Sequence, residues 1–228
     1  MSGRQKEFIT YAKSLGFGEP GFAKLRVLDE EADHLREWLN LSYHGEMSYM
    51  ERYFDLRIDP QKLVPGARSV IVLSLNYDRE IQTYANGHPR ISKYASGIDY
   101  HEVIRKKIKQ LSQWLISHYN CTVTRGFVDS GPVMERVWAR EAGISWNGKN
   151  TLAIQPKSGS FFFLACLFTD VEFEYGTPIA DYCGTCRRCI DSCPTEAIHP
   201  EGYLLDASKC ISYLTIELKS KIPEDFKG

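Results

Sequence analysis

Cys183, Cys186, Cys189 and Cys193 stand at the spacing C-x2-C-x2-C-x3-C, followed at once by Pro194. Thiolate is a soft, strongly donating ligand, and the x2 spacing lets one loop wrap three corners of an iron–sulfur cube. In two-cluster ferredoxins this run gives three cysteines to one cluster and the fourth to the other. Zinc sites use two well-separated cysteine pairs instead, so a 4Fe–4S cluster is the better reading. Cys193 is expected to begin a helix pointing away from the first cluster. Pro194 would sit in its first turn, where the missing N–H costs nothing. Cys210, in "LDASKCISYLTIELK", supplies a fifth thiol. Two clusters of four thiolates each need more, and the sequence holds seven cysteines in all. The chain therefore reads as a two-cluster unit cut short. Cys121 and Cys166 lie alone in strand-like segments and are expected to be buried, inert thiols.

A second group able to do chemistry lies in "GFVDSGPVMERVWAREAGISWNGKNTLAI". Asp129 ends a strand-like segment before Ser-Gly-Pro, where a side chain projects from a sheet edge toward a cleft. On residue chemistry alone it either caps the helix that follows or acts as a proton donor in surroundings that disfavour its charge. Lys149 in "WNGKN" reads as a loop lysine or an anion contact. Arg57, before the Pro-bounded loop of "LRIDPQKLVPGA", reads as a surface ion-pair partner or a ligand contact. The aromatics and methionines of "YHGEMSYMERY" read as packing groups or a pocket rim.

These groups need elements to place them. Residues 4–15 and 29–41 have helical recurrence, and 99–118 form the longest predicted helix, with Val103, Ile104, Ile108, Leu111, Leu115 and Ile116 as its apolar stripe. "SVIVLSLNY" (69–77) reads as a buried strand and 122–131 as another. A helix near 133–142 should stop at Gly143. Residues 150–168 read as two strands joined by a Pro/Gly/Ser turn. Helices and strands mix without repeats, giving an α+β (mixed α/β) domain ahead of a short cysteine-bearing one. Expected boundaries are 1–174 and 175–228.

The 228 residues are 43% hydrophobic and 25% charged, with a formal net charge of −1. That balance belongs to globular domains and carries no whole-chain demand for nucleic acid. The N-terminus lacks a continuous apolar stretch of signal-peptide type. "VIVLSL" and "FFFLACLF" fall well short of the roughly 20 residues that span a bilayer. A cytoplasmic, membrane-free location with reduced thiols is expected.

Taken in order along the chain, "YHGEMSYM", "LRIDPQKLVPGARSVIVLSLNY", "KYASGIDYHEVIRKK", "VDSGPVMER", "AGISWNGKNTLAI", "CGTCRRCIDSCPTEAI" and "LDASKCISYLTIELK" resemble the epoxyqueuosine reductase family. The family is related to reductive dehalogenases, and the likeness covers essentially the whole chain. It implies a nitroreductase-like cobalamin-binding domain followed by a ferredoxin-like domain with two 4Fe–4S clusters, here incomplete. It implies reduction of epoxyqueuosine to queuosine at the wobble position of tRNA, with electrons from an external low-potential donor. By this resemblance Asp129 is the proton donor. Arg57, Asp129 and the positions of Ser92, Ala153, Ile154 and Ser212 contact cobalamin, and Cys183, Cys186, Cys189, Cys193 and Cys210 bind the clusters. Rival readings are an iron–sulfur electron carrier without cobalamin, another cobalamin-dependent reductase, and a zinc-stabilised RNA-binding module.

Overall fold

The computed structural model describes residues 2–78 and 91–226. Its centre is a four-stranded antiparallel sheet in the order β1–β2–β6–β3, formed by β1 (Gly21–Lys24), β2 (Ser69–Asn76), β3 (Thr124–Phe127) and β6 (Phe162–Thr169). A hairpin of β4 (Trp146–Asn147) and β5 (Ala153–Ile154) stands apart as a second sheet. Strand side chains alternate between faces, so the unbroken apolar run of β2 predicts burial on both. Val70 and Val72 of β2 join Cys166 and Phe168 of β6 in one core, and Ile71 and Leu73 join Ala165 and Leu167 in the other.

Helices α1 (Gly3–Ser14) and α6 (Tyr100–Tyr119) cover the second face through Phe8, Ala12, Ile104, Ile108, Leu111 and Leu115. Ile116, expected in the stripe of α6, is instead 48% exposed. Asp99 caps α6 by accepting the His101 N–H at 2.9 Å. Gly126 of β3 faces Ile108 so closely that a Cβ there would collide with it, so α6 lies against bare strand backbone.

The other face carries α2 (Asp29–Asn40) and α7 (Glu135–Glu141), with Ala32, Leu35, Val137, Trp138 and Ala139 in the core. Between α2 and β2 the chain makes three short helices, α3 (Tyr49–Arg52), α4 (Phe54–Ile58) and α5 (Pro60–Leu63). Glu31 of α2, 5% exposed, accepts from Arg140 of α7 at 2.7 Å and from Arg26 at 3.3 Å. A buried carboxylate needs such partners, and here they lock α7 to α2. Gly143 ends α7 at φ +73°, as expected of a left-handed helix stop.

The two strands expected in 150–168 are β5 and β6; β5 pairs with β4, while β6 runs through the centre of the main sheet. One expectation gives way here. Cys193 does not begin a helix. The helical turn of this segment, α8 (Arg188–Asp191), precedes it, and Pro194 sits in a turn closed by the Glu196 N–H on the Cys193 carbonyl at 3.2 Å. Among the described residues no helix is long and apolar enough to cross a membrane.

Candidate functional site

Asp129 lies two residues beyond β3 with φ +48°, a left-handed conformation that Asp tolerates better than most residues. It does not cap α7, whose N-cap position is Met134 and lacks a side-chain cap bond. The Asp129 carboxylate instead accepts the Tyr100 hydroxyl, and its backbone N–H donates to Glu135 Oε1 at 3.1 Å. Its own surface is exposed. An acid that is reachable from solvent but fixed through three separate elements suits contact with a bound molecule.

Tyr100 opens α6 and stacks on Phe163 of β6, ring centroids 3.9 Å apart at 5°. Burial, then the bond to Asp129, push its hydroxyl pKa up, which keeps it a donor. Glu135 opens α7. Burial, then the Asp129 charge, push its carboxyl up to about 8. Arg136 beside it donates to the Thr151 carbonyl, and burial pulls its pKa down. Arg136 keeps accessible surface although protein crowds its guanidinium.

The hairpin positions follow directly. Thr151, held by Arg136 at φ +63°, leads into β5, where Ala153 is buried and Ile154 half-buried. Ser92 is exposed and precedes the 3-10 turn Lys93–Ala95, its carbonyl accepting the Ala95 N–H at 3.0 Å. Lys93 lies over Phe161, 5.0 Å from the ring centroid, and so joins the Ser92 segment to the strand carrying Phe163. Asp129, Ser92 and the Ala153–Ile154 strand thus share one chain of contacts.

Arg57 and Ser212 belong to a second group. Arg57 is turned inward rather than salt-bridged on the surface: its guanidinium lies over Tyr49, 5.9 Å from the centroid, and burial lowers its pKa. Tyr49 in turn hydrogen-bonds Glu217. Glu217 ends the π-helical turn Tyr213–Glu217, which Ser212, exposed, precedes. The buried Tyr213 hydroxyl accepts the Glu46 N–H at 2.7 Å and ties this turn to the segment before Arg57.

Buried polar atoms without a partner among the described residues include His44 Nδ1, Tyr119 Oη, Ser145 Oγ, Arg57 Nε and, on β4, Trp146 Nε1 and Asn147 Oδ1. Trp146 and Asn147 pair across the hairpin with Ile154 and Ala153. Such atoms are costly unless something hydrogen-bonds them. Arg57 Nε is at one position expected to meet cobalamin and the two β4 atoms lie beside two others, Ala153 and Ile154; the corrin rim carries amide groups that such atoms can bond, so these residues fit that cofactor. A cleft of about 280 Å³ bordered by Asp29, Arg36, Asp55 and Lys62 contains none of these residues.

The cysteines are built differently. All are free thiols; Cys186 is exposed, and Cys183, Cys189, Cys193 and Cys210 are half-buried. Among the described residues no group of three or more His, Cys, Asp or Glu side chains is gathered as a metal site. Their chemistry nonetheless suits iron–sulfur ligation. At Cys193, burial raises the thiol, but the N–H groups of Ile198, Ala197 and Thr195 and the Thr195 hydroxyl outweigh it and hold the pKa below its ordinary value. Lys149 proves to be no free loop cation. Its Nζ donates to the carbonyls of Gly184 at 2.6 Å and Cys186 at 3.1 Å, strapping the β4–β5 hairpin to the cysteine run. Cys121 and Cys166 are buried as expected.

Sequence reasoning missed Tyr100, Glu135 and this role of Lys149. The available signals were a tyrosine at the start of the longest helix and a glutamate opening a helix otherwise committed to the core.

The family model "Epoxyqueuosine reductase QueG, DUF1730" matches residues 57–130, and "4Fe-4S double cluster binding domain" matches residues 182–228. An epoxyqueuosine reductase of Leadbetterella byssophila is 51% identical over 228 residues, covering 100% of this chain and 74% of its own. A crystal structure of epoxyqueuosine reductase with a tRNA-Tyr epoxyqueuosine-modified stem loop superposes with a TM-score of 0.85 at 33% identity. The match covers 98% of this chain and 60% of that one. A Bacillus subtilis epoxyqueuosine reductase, with an aspartate-bearing catalytic loop swung out of the active site, gives a TM-score of 0.82 at 32% identity. There the coverage is 98% of this chain and 59% of that one. The chain thus spans about three fifths of the solved proteins it matches.

Proposed function

Because the chain belongs to the epoxyqueuosine reductase family, we propose that it reduces epoxyqueuosine to queuosine at the wobble position of tRNA, with Asp129 as proton donor. Residues 1–174 form the nitroreductase-like cobalamin-binding domain and 175–228 part of the ferredoxin-like domain. Arg57, Ser92, Ala153, Ile154 and Ser212 hold the cofactor, and Cys183, Cys186, Cys189, Cys193 and Cys210 hold 4Fe–4S clusters that take electrons from an external donor. Bound cobalamin supplies the reducing centre that opens the epoxide.

The epoxide oxygen leaves as water, which takes two electrons and two protons. Opening the ring would build negative charge on that oxygen, and an acid within hydrogen-bonding reach must neutralise it as it forms. The observation that carries this reading is the fixation of exposed Asp129 by the Tyr100 hydroxyl and by Glu135 at a left-handed backbone position. Local strain of this kind is kept where the surroundings over-determine it, commonly at reactive sites. The aspartate-bearing catalytic loop of the Bacillus subtilis relative supports the same role, and the tRNA stem loop of another relative supports the substrate.

The test is an anaerobic titration of the protein with cobalamin, followed by absorption and Co(II) EPR, then turnover on epoxyqueuosine-bearing tRNA once further cysteine ligands are supplied to complete both clusters. Stoichiometric binding with a perturbed Co(II) signal is expected, with turnover falling about 10²- to 10⁴-fold in Asp129→Asn. Unbound cobalamin overturns the cofactor assignment, and undiminished turnover in Asp129→Asn overturns the acid.

A further inference from the structure

We propose that Glu135 and Asp129 form a carboxyl pair sharing one proton, with Glu135 the positioning residue that holds Asp129 in place and keeps that proton beside it. This rests on the reading of Asp129 as the acid. The backbone N–H of Asp129 donates to Glu135 Oε1 at 3.1 Å, and the two side-chain carboxyls are themselves within hydrogen-bonding reach. Two carboxylates this close in poorly screened surroundings cannot both stay ionised, so one proton is retained between them.

The groups facing Glu135 agree. Asp129 comes from the loop after β3, the buried Cys166 thiol from β6, and Arg136 from its own helix. The Asp129 N–H and Arg136 favour a charged Glu135, and they are outweighed by burial and by the Asp129 charge, leaving Glu135 up at about 8. Tyr100 from α6 reaches the pair only through Asp129, to which it donates. The pair is rigidly backed, since α7 is locked to α2 by the Arg140–Glu31 contact at 2.7 Å.

In use, the shared proton passes from the pair to the oxygen leaving carbon. One O–H bond breaks on a carboxyl and one forms on that oxygen. The pair is then left with two negative charges and regains a proton from solvent at exposed Asp129. Glu135 thereby keeps a proton available to Asp129 at a pH where an isolated carboxyl would have lost it.

The deciding measurement is a ¹³C NMR titration of the chain labelled at glutamate Cδ, with Glu135 assigned by its loss in Glu135→Gln. A midpoint near 8 is expected, falling by about one unit or more in Asp129→Asn once the neighbouring charge is gone. A midpoint in the ordinary carboxylate range, or one unmoved by Asp129→Asn, overturns the pairing. Glu135→Gln keeps the acceptor for the Asp129 N–H but cannot ionise. In the holoenzyme it should lower kcat about tenfold, the equivalent of one pKa unit, with KM little changed, and should remove the alkaline fall in kcat near pH 8. A kcat and pH profile equal to the parent overturns the role in turnover. Loss of turnover in Asp129→Asn with an ordinary Glu135 midpoint removes the pairing and leaves the acid; a coupled midpoint with a fully active Asp129→Asn removes the acid and leaves the pair.

Discussion

Asp129 and Glu135 hang from a sheet buried on both faces, whereas the cysteines of 183–193 hang from a four-residue helix and a series of turns. At the carboxyl site each contact is backed by core: Tyr100 stacks on β6, and Glu135 sits on a helix that buries Val137, Trp138 and Ala139. In the cysteine segment the supports are polar and local. Asp181 accepts the Cys183 N–H at 2.6 Å and the Tyr203 hydroxyl, Arg187 reaches the Pro200 carbonyl at 2.8 Å, and Lys149 bridges to the hairpin. Proton chemistry needs donor and acceptor fixed before the substrate arrives. A thiolate site gains folding free energy from its metal–sulfur bonds, so its protein supports can be slighter.

The largest effect that would break this contrast is at Cys186. Cys186→Ser should remove most of the iron taken up on reconstitution, read as the loss of the broad visible absorption of the cluster. The thermal midpoint of the sheet domain should stay within a degree or two of the parent. A collapse of that midpoint along with the iron would mean that the two regions fold as one. Lys149→Ala probes the strap between them. Losing two charge-assisted hydrogen bonds costs roughly 1.5–3 kcal/mol. Proteolysis of residues 177–188 should therefore quicken about tenfold or more, because cleavage follows the population of locally opened chain. Unchanged cleavage would make the strap ornamental.

The same contrast explains what the sequence could tell. β2 and α6 were readable because long apolar runs with one period have few alternative structures. β1, four residues along the sheet edge, carries too little pattern, and β4–β5 is too short for any. Asp129 reads from the sequence as near the end of the β3 segment, but residue chemistry alone leaves its local role open: an Asp ahead of a helix looks the same whether it caps or not, and only tertiary contact with Tyr100 separates the two. Glu135 was invisible for the same reason, since a glutamate in the first helical turn ordinarily reads as helix chemistry. The cysteine run was legible in type because ligand spacing is itself a sequence property. Its local shape was misread at Pro194, where the preference for a first helical turn lost to a helix already completed at Asp191.

The smallest effect concerns the stability of the carboxyl site. Glu135 is held up at about 8 in the fold against an ordinary 4.5. Between those values the folded chain binds more protons than the unfolded one, so this group lowers stability as pH rises. Its contribution is whole below about 4.5 and is lost as pH passes through about 8. Glu135→Gln cannot ionise and escapes that loss. The thermal midpoint of the variant relative to the parent should therefore climb by a few degrees between pH 5 and pH 8. The comparison with Cys186→Ser sharpens the point, since the pH dependence should survive there undiminished if it arises in the sheet-backed carboxyls. Parallel curves for parent and Glu135→Gln would show that the carboxyl site exchanges no extra proton on folding, and would make it as loosely coupled to the core as the cysteine segment.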